Sequence, residues 1–175
     1  MPDEIVIVPY NPAWPALYEA EAARVRAALP ADIVLAIEHF GSTAIPGLAA
    51  KPVIDILVAV RSIEEARECA VAPLSALGYA FWADNPKRDR LFFVKGLPPA
   101  PRRTHHVHFT ELAGEAWHRL RFRDHLRRDA EAREAYLALK LDLARRFPDD
   151  REAYTEGKQD FVDAVMAKLR AESSS

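Results

Sequence analysis

Residues 53–60 read Val-Ile-Asp-Ile-Leu-Val-Ala-Val. A run this apolar and this rich in β-branched residues is the pattern of a central strand covered on both faces. Asp55 is the exception. A carboxylate flanked by Ile54 and Ile56 is costly unless it is paired or coordinated to a metal. The strand therefore has to sit at the middle of a sheet, and something cationic has to meet its one charge.

The elements around it follow from local signals. Asn11 reads as an N-cap with Pro12 at the first helical position, and that helix runs to about Leu29, before Pro30. Ile33 to Phe40 reads as a strand and Gly41 to Lys51 as a loop with room for one helical turn. Ser62 to Leu77 is predicted helical, with Ser62 as cap, Glu65 completing a capping box and Gly78 ending it. The period then changes to two. Tyr79 to Trp82, Leu91 to Lys95 and Thr104 to Thr110 read as strands. Three helices are predicted after Glu115: one to Arg128, one to Phe147, and one from about Asp150 to Arg170. The order gives an α+β fold, a mixed sheet with flanking helices and a C-terminal helical subdomain. A single domain over residues 1–172 is expected, with the sheet in about 1–112, helices in about 113–172, and a frayed tail at 173–175.

Composition limits the function. The 175 residues, 50% hydrophobic and 29% charged, suffice for one core and exclude long disorder. The 24 Lys+Arg against 26 Asp+Glu give a net charge of -2, which argues against general nucleic-acid binding. One cysteine, Cys69, excludes an internal disulfide and reads as a small buried hydrophobe. Met1 to Pro12 lacks a signal-peptide pattern, and no stretch approaches the roughly 20 apolar residues of a membrane span, so a cytoplasmic protein is expected.

The richest chemistry lies in residues 39–56, His-Phe-Gly-Ser-Thr-Ala-Ile-Pro-Gly-Leu-Ala-Ala-Lys-Pro-Val-Ile-Asp-Ile. Gly41 permits close backbone approach to a ligand. Ser42 and Thr43 offer hydroxyls and N–H groups at a helix start, which suits a phosphate. The alternative is a plain loop with Asp55 pairing with Lys51 or capping a helix. Two further signals come from the C-terminal helices. Lys140 interrupts the apolar stripe of Tyr136, Leu143 and Phe147, and Lys158 interrupts that of Tyr154, Phe161, Val162, Val165 and Leu169. Lysines on core-facing stripes point to an anionic cleft; the alternative is snorkelling. The Tyr154–Lys158 spacing matches a short-chain dehydrogenase pair, but no glycine-rich dinucleotide turn precedes it, so that reading is discarded. Arg90 and Lys95 lie on a strand beside the site and are candidates for phosphate contact. Most of Arg119, Arg121, Arg123, Arg127 and Arg128 read as solvated, with Arg123 and Arg127 able to share a face. Trp14 and Trp117 read as core anchors; Glu38 and His39 have no assigned role.

The Gly41–Asp55 segment resembles the signature of the GrpB family, which is assigned to the nucleotidyltransferase superfamily. The resemblance extends to Pro9-Tyr10-Asn11-Pro12-Ala13-Trp14, His105-His106-Val107-His108-Phe109, Leu120 to Arg127, and Tyr154-Thr155-Glu156-Gly157-Lys158. GrpB-like domains also occur fused to dephospho-coenzyme A kinases. The resemblance implies a nucleotidyltransferase-like fold. It also implies the superfamily pattern of Gly and Gly or Ser, two strand acids one residue apart, and a third acid on a later strand. Such acids hold two divalent metals.

Gly41, Ser42 and Asp55 match that pattern, but the same-face neighbours of Asp55 are Val53 and Leu57, which bind no metal. His106 and His108 stand where the third acid is sought, with His105 facing away. Asp55, His106 and His108 then form a two-histidine, one-carboxylate set favouring Zn, Mn or Fe over Mg; alternatively the histidines are hydrogen-bonded core residues or bind phosphate as donors. The leading expectation is a protein that binds a nucleoside triphosphate or another small phosphorylated ligand. It would transfer a nucleotidyl group with a divalent metal, Mg, Mn or Zn. Asp55 and Ser42 would be catalytic, and Gly41, Ser42, Thr43, Lys51, Arg90, Lys140, Tyr154 and Lys158 would contact phosphate or ligand. The alternatives are a non-catalytic module binding a nucleotide or coenzyme A precursor, and a metal-dependent hydrolase using Asp55, His106 and His108.

Overall fold

The computed structural model describes residues 4–85, 89–100 and 102–173. Its elements run in the order α1 (Trp14–Ala28), β1 (Val34–Phe40), a 3-10 turn (Ser42–Ala44), β2 (Ile54–Val60) and α2 (Ile63–Ala76). Strands β3 (Tyr79–Phe81), β4 (Leu91–Lys95) and β5 (His105–Glu111) follow. Helices α3 (Glu115–His118), α4 (Leu120–Arg128), α5 (Ala130–Arg146), α6 (Arg151–Glu156) and α7 (Gln159–Ser173) close the chain. The five-stranded sheet has the order β1-β2-β5-β4-β3. Only the β2–β5 pair is parallel. This is the α+β fold expected, a mixed sheet with flanking helices.

Strand parity divides the molecule. Ile54, Ile56, Val58 and Val60 of β2 join Val107 and Phe109 of β5 in a core that includes Val25 of α1 and Ala66, Ala70 and Leu74 of α2. The alternate residues of both strands face the other way, towards the C-terminal helices. There a second core of Phe122, Leu126, Tyr136, Val162, Met166 and Leu169 packs on Ile45 and Leu48 of the loop after β1. The sheet is thus clad on both sides, as the apolar β2 requires. Among the described residues, no helix is long and apolar enough to cross a membrane.

Several local expectations are corrected. Helix α1 begins at Trp14 rather than Pro12, because Asn11 Oδ1 takes the Ala13 N–H at 2.9 Å and Pro15 occupies the first turn. Ser62 Oγ accepts the Glu65 N–H at 3.3 Å, but the Ile63 N–H goes to Glu111 Oε1 at the end of β5, so the cap is shared with the sheet. Cys69 is half-buried, its thiol donating to Glu65 O at 2.9 Å. The predicted helix over 115–128 breaks at Arg119. The one over 150–170 breaks into α6 and α7 at Gly157, where a side chain would collide with Leu143 of α5. Of the tail expected to fray, Ser173 ends α7, and residues 174–175 lie outside the described residues.

Arg123 pins the helical layer to the sheet. It is buried, and its Nη1 donates to Glu38 Oε2 at 2.8 Å and to His39 O at 2.7 Å, while Nε reaches Asp124 Oδ1 at 2.8 Å. Arg127 adds a bond from Nε to Ala44 O at 2.9 Å. Both arginines therefore serve the segment that leads into the 3-10 turn. The Glu38 and Asp124 carboxylates are 40% and 41% exposed, so losing Arg123 strands chiefly the His39 carbonyl, whereas losing a fully exposed pair costs little. Arg123→Met is expected to cost about 2 kcal/mol, a fall of roughly 4–8 °C in the thermal midpoint for a chain of this size. Arg145→Met, which breaks an exposed pair with Asp142, should change stability by less than about 0.5 kcal/mol. Circular dichroism melts of the two variants check both.

Candidate functional site

The parallel pairing of β2 and β5 sets Asp55 beside His106 and Leu57 beside His108. Alternate strand residues share a face, so the carboxylate and both imidazoles point together to the side of the C-terminal helices. His106 Nδ1 lies 2.9 Å from Asp55 Oδ1, and His108 Nε2 lies 3.7 Å from the same oxygen. Burial works to raise the Asp55 pKa, but the hydrogen bond with His106 and the nearness of His108 prevail and hold the carboxyl well below the usual range. Burial lowers the His106 pKa against the pull of Asp55.

Gly41 closes in behind Asp55. Its φ of 69° and ψ of -170° belong to a region reserved for glycine, and a Cβ there would collide with Asp55 Oδ2. The close approach that Gly41 permits is to the carboxylate. The turn after it spans only Ser42–Ala44, too short to present the helix N-terminus expected for a phosphate. The Thr43 hydroxyl is also committed: it is 3.0 Å from His39 Nε2 and donates to Val53 O at 3.4 Å. Burial pushes the Tyr136 phenol up to about 12, and the neighbouring Ser42 side chain opposes the rise.

The C-terminal helices supply the facing wall. Lys140 of α5 is 1% exposed, so it does not snorkel; its ammonium donates to Ala49 O and lies 5.3 Å from the Tyr136 ring centroid. Tyr154 of α6 is shared by two lysines, with Lys51 Nζ 4.7 Å and Lys158 Nζ 4.4 Å from its ring centroid. Such contacts help a cation tolerate burial. Lys158 sits at the corner between α6 and α7, not in the middle of one helix as predicted. Burial brings the Lys51 and Lys140 amines down to about 7 and that of Lys158 to about 8; Lys158 lowers the other two further, and Asp55 opposes the shift in Lys51 and Lys158.

Sheet and helices enclose a cavity of about 430 Å³. Gly41, Ser42, Thr43, Lys51, Asp55, Arg90, His106, His108, Lys140, Tyr154 and Lys158, all singled out from sequence, line it. Arg103, Arg119, Arg123 and Arg151 line it as well. Sequence reasoning left Arg103 and Arg151 out and counted the arginines around 119–128 mostly as solvated. Spacing held part of that signal: Arg119 lies four residues before Arg123, and Arg151 three before Tyr154, each one helical turn. Arg103 follows a proline-rich loop with no periodicity to place it. Arg90 lines the cavity but already meets Asp89 at 3.1 Å and Glu115 at 3.8 Å. Lys95 does not belong here. It faces the other side of the sheet, where its Nζ is 2.7 Å from Glu21 Oε1.

The donor set fits a metal ion. One ligand atom from each of Asp55, His106 and His108 falls within 4.8 Å of the others. Among the described residues, His106 Nε2 is buried without a hydrogen-bond partner. One carboxylate with two imidazoles suits Zn, Mn or Fe, whereas Mg prefers oxygen throughout.

The family model described as GrpB protein matches residues 4–168. The chain belongs to the GrpB family. The UPF0157 protein PA4798 of Pseudomonas aeruginosa is 49% identical over 170 residues, which are 97% of this chain and 69% of that protein. The crystal structure of the conserved protein GrpB from Enterococcus faecalis aligns with a TM-score of 0.85 at 32% identity, covering 97% of this chain and 100% of that one. A dephospho-CoA kinase of Mycolicibacterium paratuberculosis is 34% identical over 179 residues, 87% of this chain but 43% of the kinase.

The lysines give this GrpB family member a defined pH response. A lysine whose pKa is lower folded than unfolded binds fewer protons in the folded state between the two values. Stability then rises with pH across that interval and is lost as pH falls through the folded value. For Lys140 the interval runs from about 7 to the ordinary 10.5. The thermal midpoint in dilute buffer without multivalent anions should climb between about pH 7 and about pH 9. Lys140→Met, which keeps the buried stem and removes the amine, should flatten that climb. A midpoint that falls over this range in both proteins contradicts the assignment.

Proposed function

We propose that this chain binds a nucleoside triphosphate in the cavity between the sheet and the C-terminal helices, with a divalent metal at Asp55, His106 and His108, and that its reaction is nucleotidyl transfer to a hydroxyl acceptor. The observation that carries this reading is the charge distribution of the cavity. Three lysines and five arginines line a cavity whose one carboxylate stands beside two imidazoles; of the arginines, Arg90, Arg119 and Arg123 also meet carboxylates outside the cavity. A low-dielectric wall of cations has an obvious partner in a polyphosphate.

Lys51, Lys140 and Lys158 neutralise the phosphate chain, and their lowered pKa values mean that the anion restores protons to them on binding. Ser42, which lines the cavity with Tyr136, presents its hydroxyl at the sheet side of the ligand. In the transfer, the acceptor hydroxyl gives its proton to solvent as its oxygen bonds to the α-phosphorus, the in-line bond to the β-phosphate oxygen breaks, and pyrophosphate leaves into the lysine cluster. Positioning and charge stabilisation do most of the work in phosphoryl chemistry. A metal held by Asp55, His106 and His108 would supply Lewis acidity at a phosphate oxygen.

A second reading, a binding module without catalysis, rests on a specific observation: among the described residues that line the cavity, Asp55 is the only carboxylate. The similarity to dephospho-CoA kinases makes a coenzyme A precursor the ligand to try for that reading. Metal content of the purified protein, nucleotide calorimetry with Mn²⁺, and pyrophosphate release across a panel of hydroxyl acceptors separate the two. For the enzyme, Asp55→Asn should lose the metal and lower pyrophosphate release by ~10² or more. For the module, the wild type releases no pyrophosphate, and Asp55→Asn binds the anion in chelator at least as tightly, because a repelling charge has gone. A wild type that holds neither metal nor anion contradicts both.

A further inference from the structure

The cationic cavity accounts for a phosphate chain but says nothing of what the phosphates are attached to. The rim beyond β4 does. Of the chain's three tryptophans, Trp14 is 3% exposed and Trp117 packs against the Leu57 cluster, while Trp82 is 42% exposed. An exposed tryptophan by itself is unremarkable; its position is what counts. Trp82 follows β3 directly and continues its ladder, its N–H donating to Phe92 O at 2.9 Å. Tyr79 and Phe81 of β3 face the α1–α2 core, so parity turns Trp82 to the side of the site.

There it ends a run of rings that starts at the histidines. His108 stacks on Phe92 with centroids 4.7 Å apart, and Phe92 lies 6.2 Å from Trp82. The Arg103 guanidinium lies 5.5 Å from the Trp82 ring centroid while Arg103 also lines the cavity. The indole and the anion site therefore share a side chain. Asp55 on β2 and Trp82 beside β3 are three strands apart in the sheet order, roughly 14 Å at ordinary strand spacing. A nucleotide spans that distance from its phosphate chain to its base.

We infer that Trp82, with Phe92 beside it and the Arg103 guanidinium over one face of its ring, is the stacking platform for the nucleobase of the ligand whose phosphates occupy the lysine cavity, so that the site selects nucleotides over inorganic polyphosphate. This rests on the cavity being a polyphosphate site, as proposed above. Stacking on an aromatic side chain tolerates any base, because every base presents a π face. Trp82 is a specificity residue in this account and takes no part in bond making.

The test is calorimetric titration of the full chain with ATP and, separately, with inorganic tripolyphosphate, each in the presence of Mn²⁺. The wild type should bind ATP about tenfold more tightly than tripolyphosphate. Trp82→Ala should remove that advantage and leave tripolyphosphate affinity within about twofold, and Trp82→Phe, which keeps a ring, should restore most of it. The ATP-dependent quench of tryptophan fluorescence in the wild type should vanish in Trp82→Phe. The inference is overturned if the wild type binds the two anions equally, or if Trp82→Ala weakens both alike or neither. If tripolyphosphate itself does not bind, the polyphosphate reading of the cavity fails first and this one falls with it.

Discussion

The charge of Asp55 sets the terms for everything on its side of the sheet. The carboxylate stands between two isoleucines that are essentially inaccessible to water, on a strand that must be buried on both faces. An isolated ion there would be intolerable. Its neighbours answer it in order of distance. Gly41 gives up a side chain so that the carboxylate has room, His106 bonds to it with His108 close behind, and the lysines of the opposite wall lie beyond. The parallel β2–β5 pairing is what makes this possible, because it places a histidine directly beside Asp55 without a turn or bulge.

The opposite wall has the converse problem. Lys158 repels Lys51 and Lys140, and the attraction of Asp55 for Lys51 and Lys158 offsets only part of the cost of burying them. Tyr154, Tyr136 and the Ala49 carbonyl ease the burial of the ammonium groups without cancelling their charge. A fold that keeps such a cluster keeps an electrostatic cost that a bound anion relieves. The same arrangement explains why the helical layer is held by arginines bonded to backbone. Arg123 reaches His39 O, Arg127 reaches Ala44 O, and Arg133 reaches Leu126 O. The first two bonds join the helical layer to β1 and the turn after it, and the third joins α5 to α4.

Much of this was readable along the chain. The strand at 54–60, its covered position and the shared face of Asp55, His106 and His108 all follow from a period of two, which side-chain chemistry does not disturb. The inward lysines were visible as breaks in apolar stripes, since amphipathic periodicity survives small errors in helix boundaries. Other features depend on packing between distant segments and left no local trace. The corner at Gly157 lies so close to Leu143 that a side chain there would collide with it. Lys95 reads as a site residue by proximity in sequence, yet one step of strand parity sends it to Glu21 on the far face. The arginines of α4 look like a solvated patch until β1 and the turn after it supply carbonyls for Arg123 and Arg127. Arg103 reaches the cavity from a loop whose path no pattern announces.

The central claim is that one charged strand residue, two histidines and three facing lysines form a single site for a metal and a phosphate chain. The most direct measurement is an anomalous-difference map from crystals grown with Mn²⁺ and a non-hydrolysable nucleoside triphosphate. The account predicts a peak bound by Asp55, His106 and His108, with phosphate density extending to Lys51, Lys140 and Lys158. A map with the nucleotide seated elsewhere on the molecule, or with phosphate in the cavity and no peak at the three side chains after growth at saturating Mn²⁺, would contradict it.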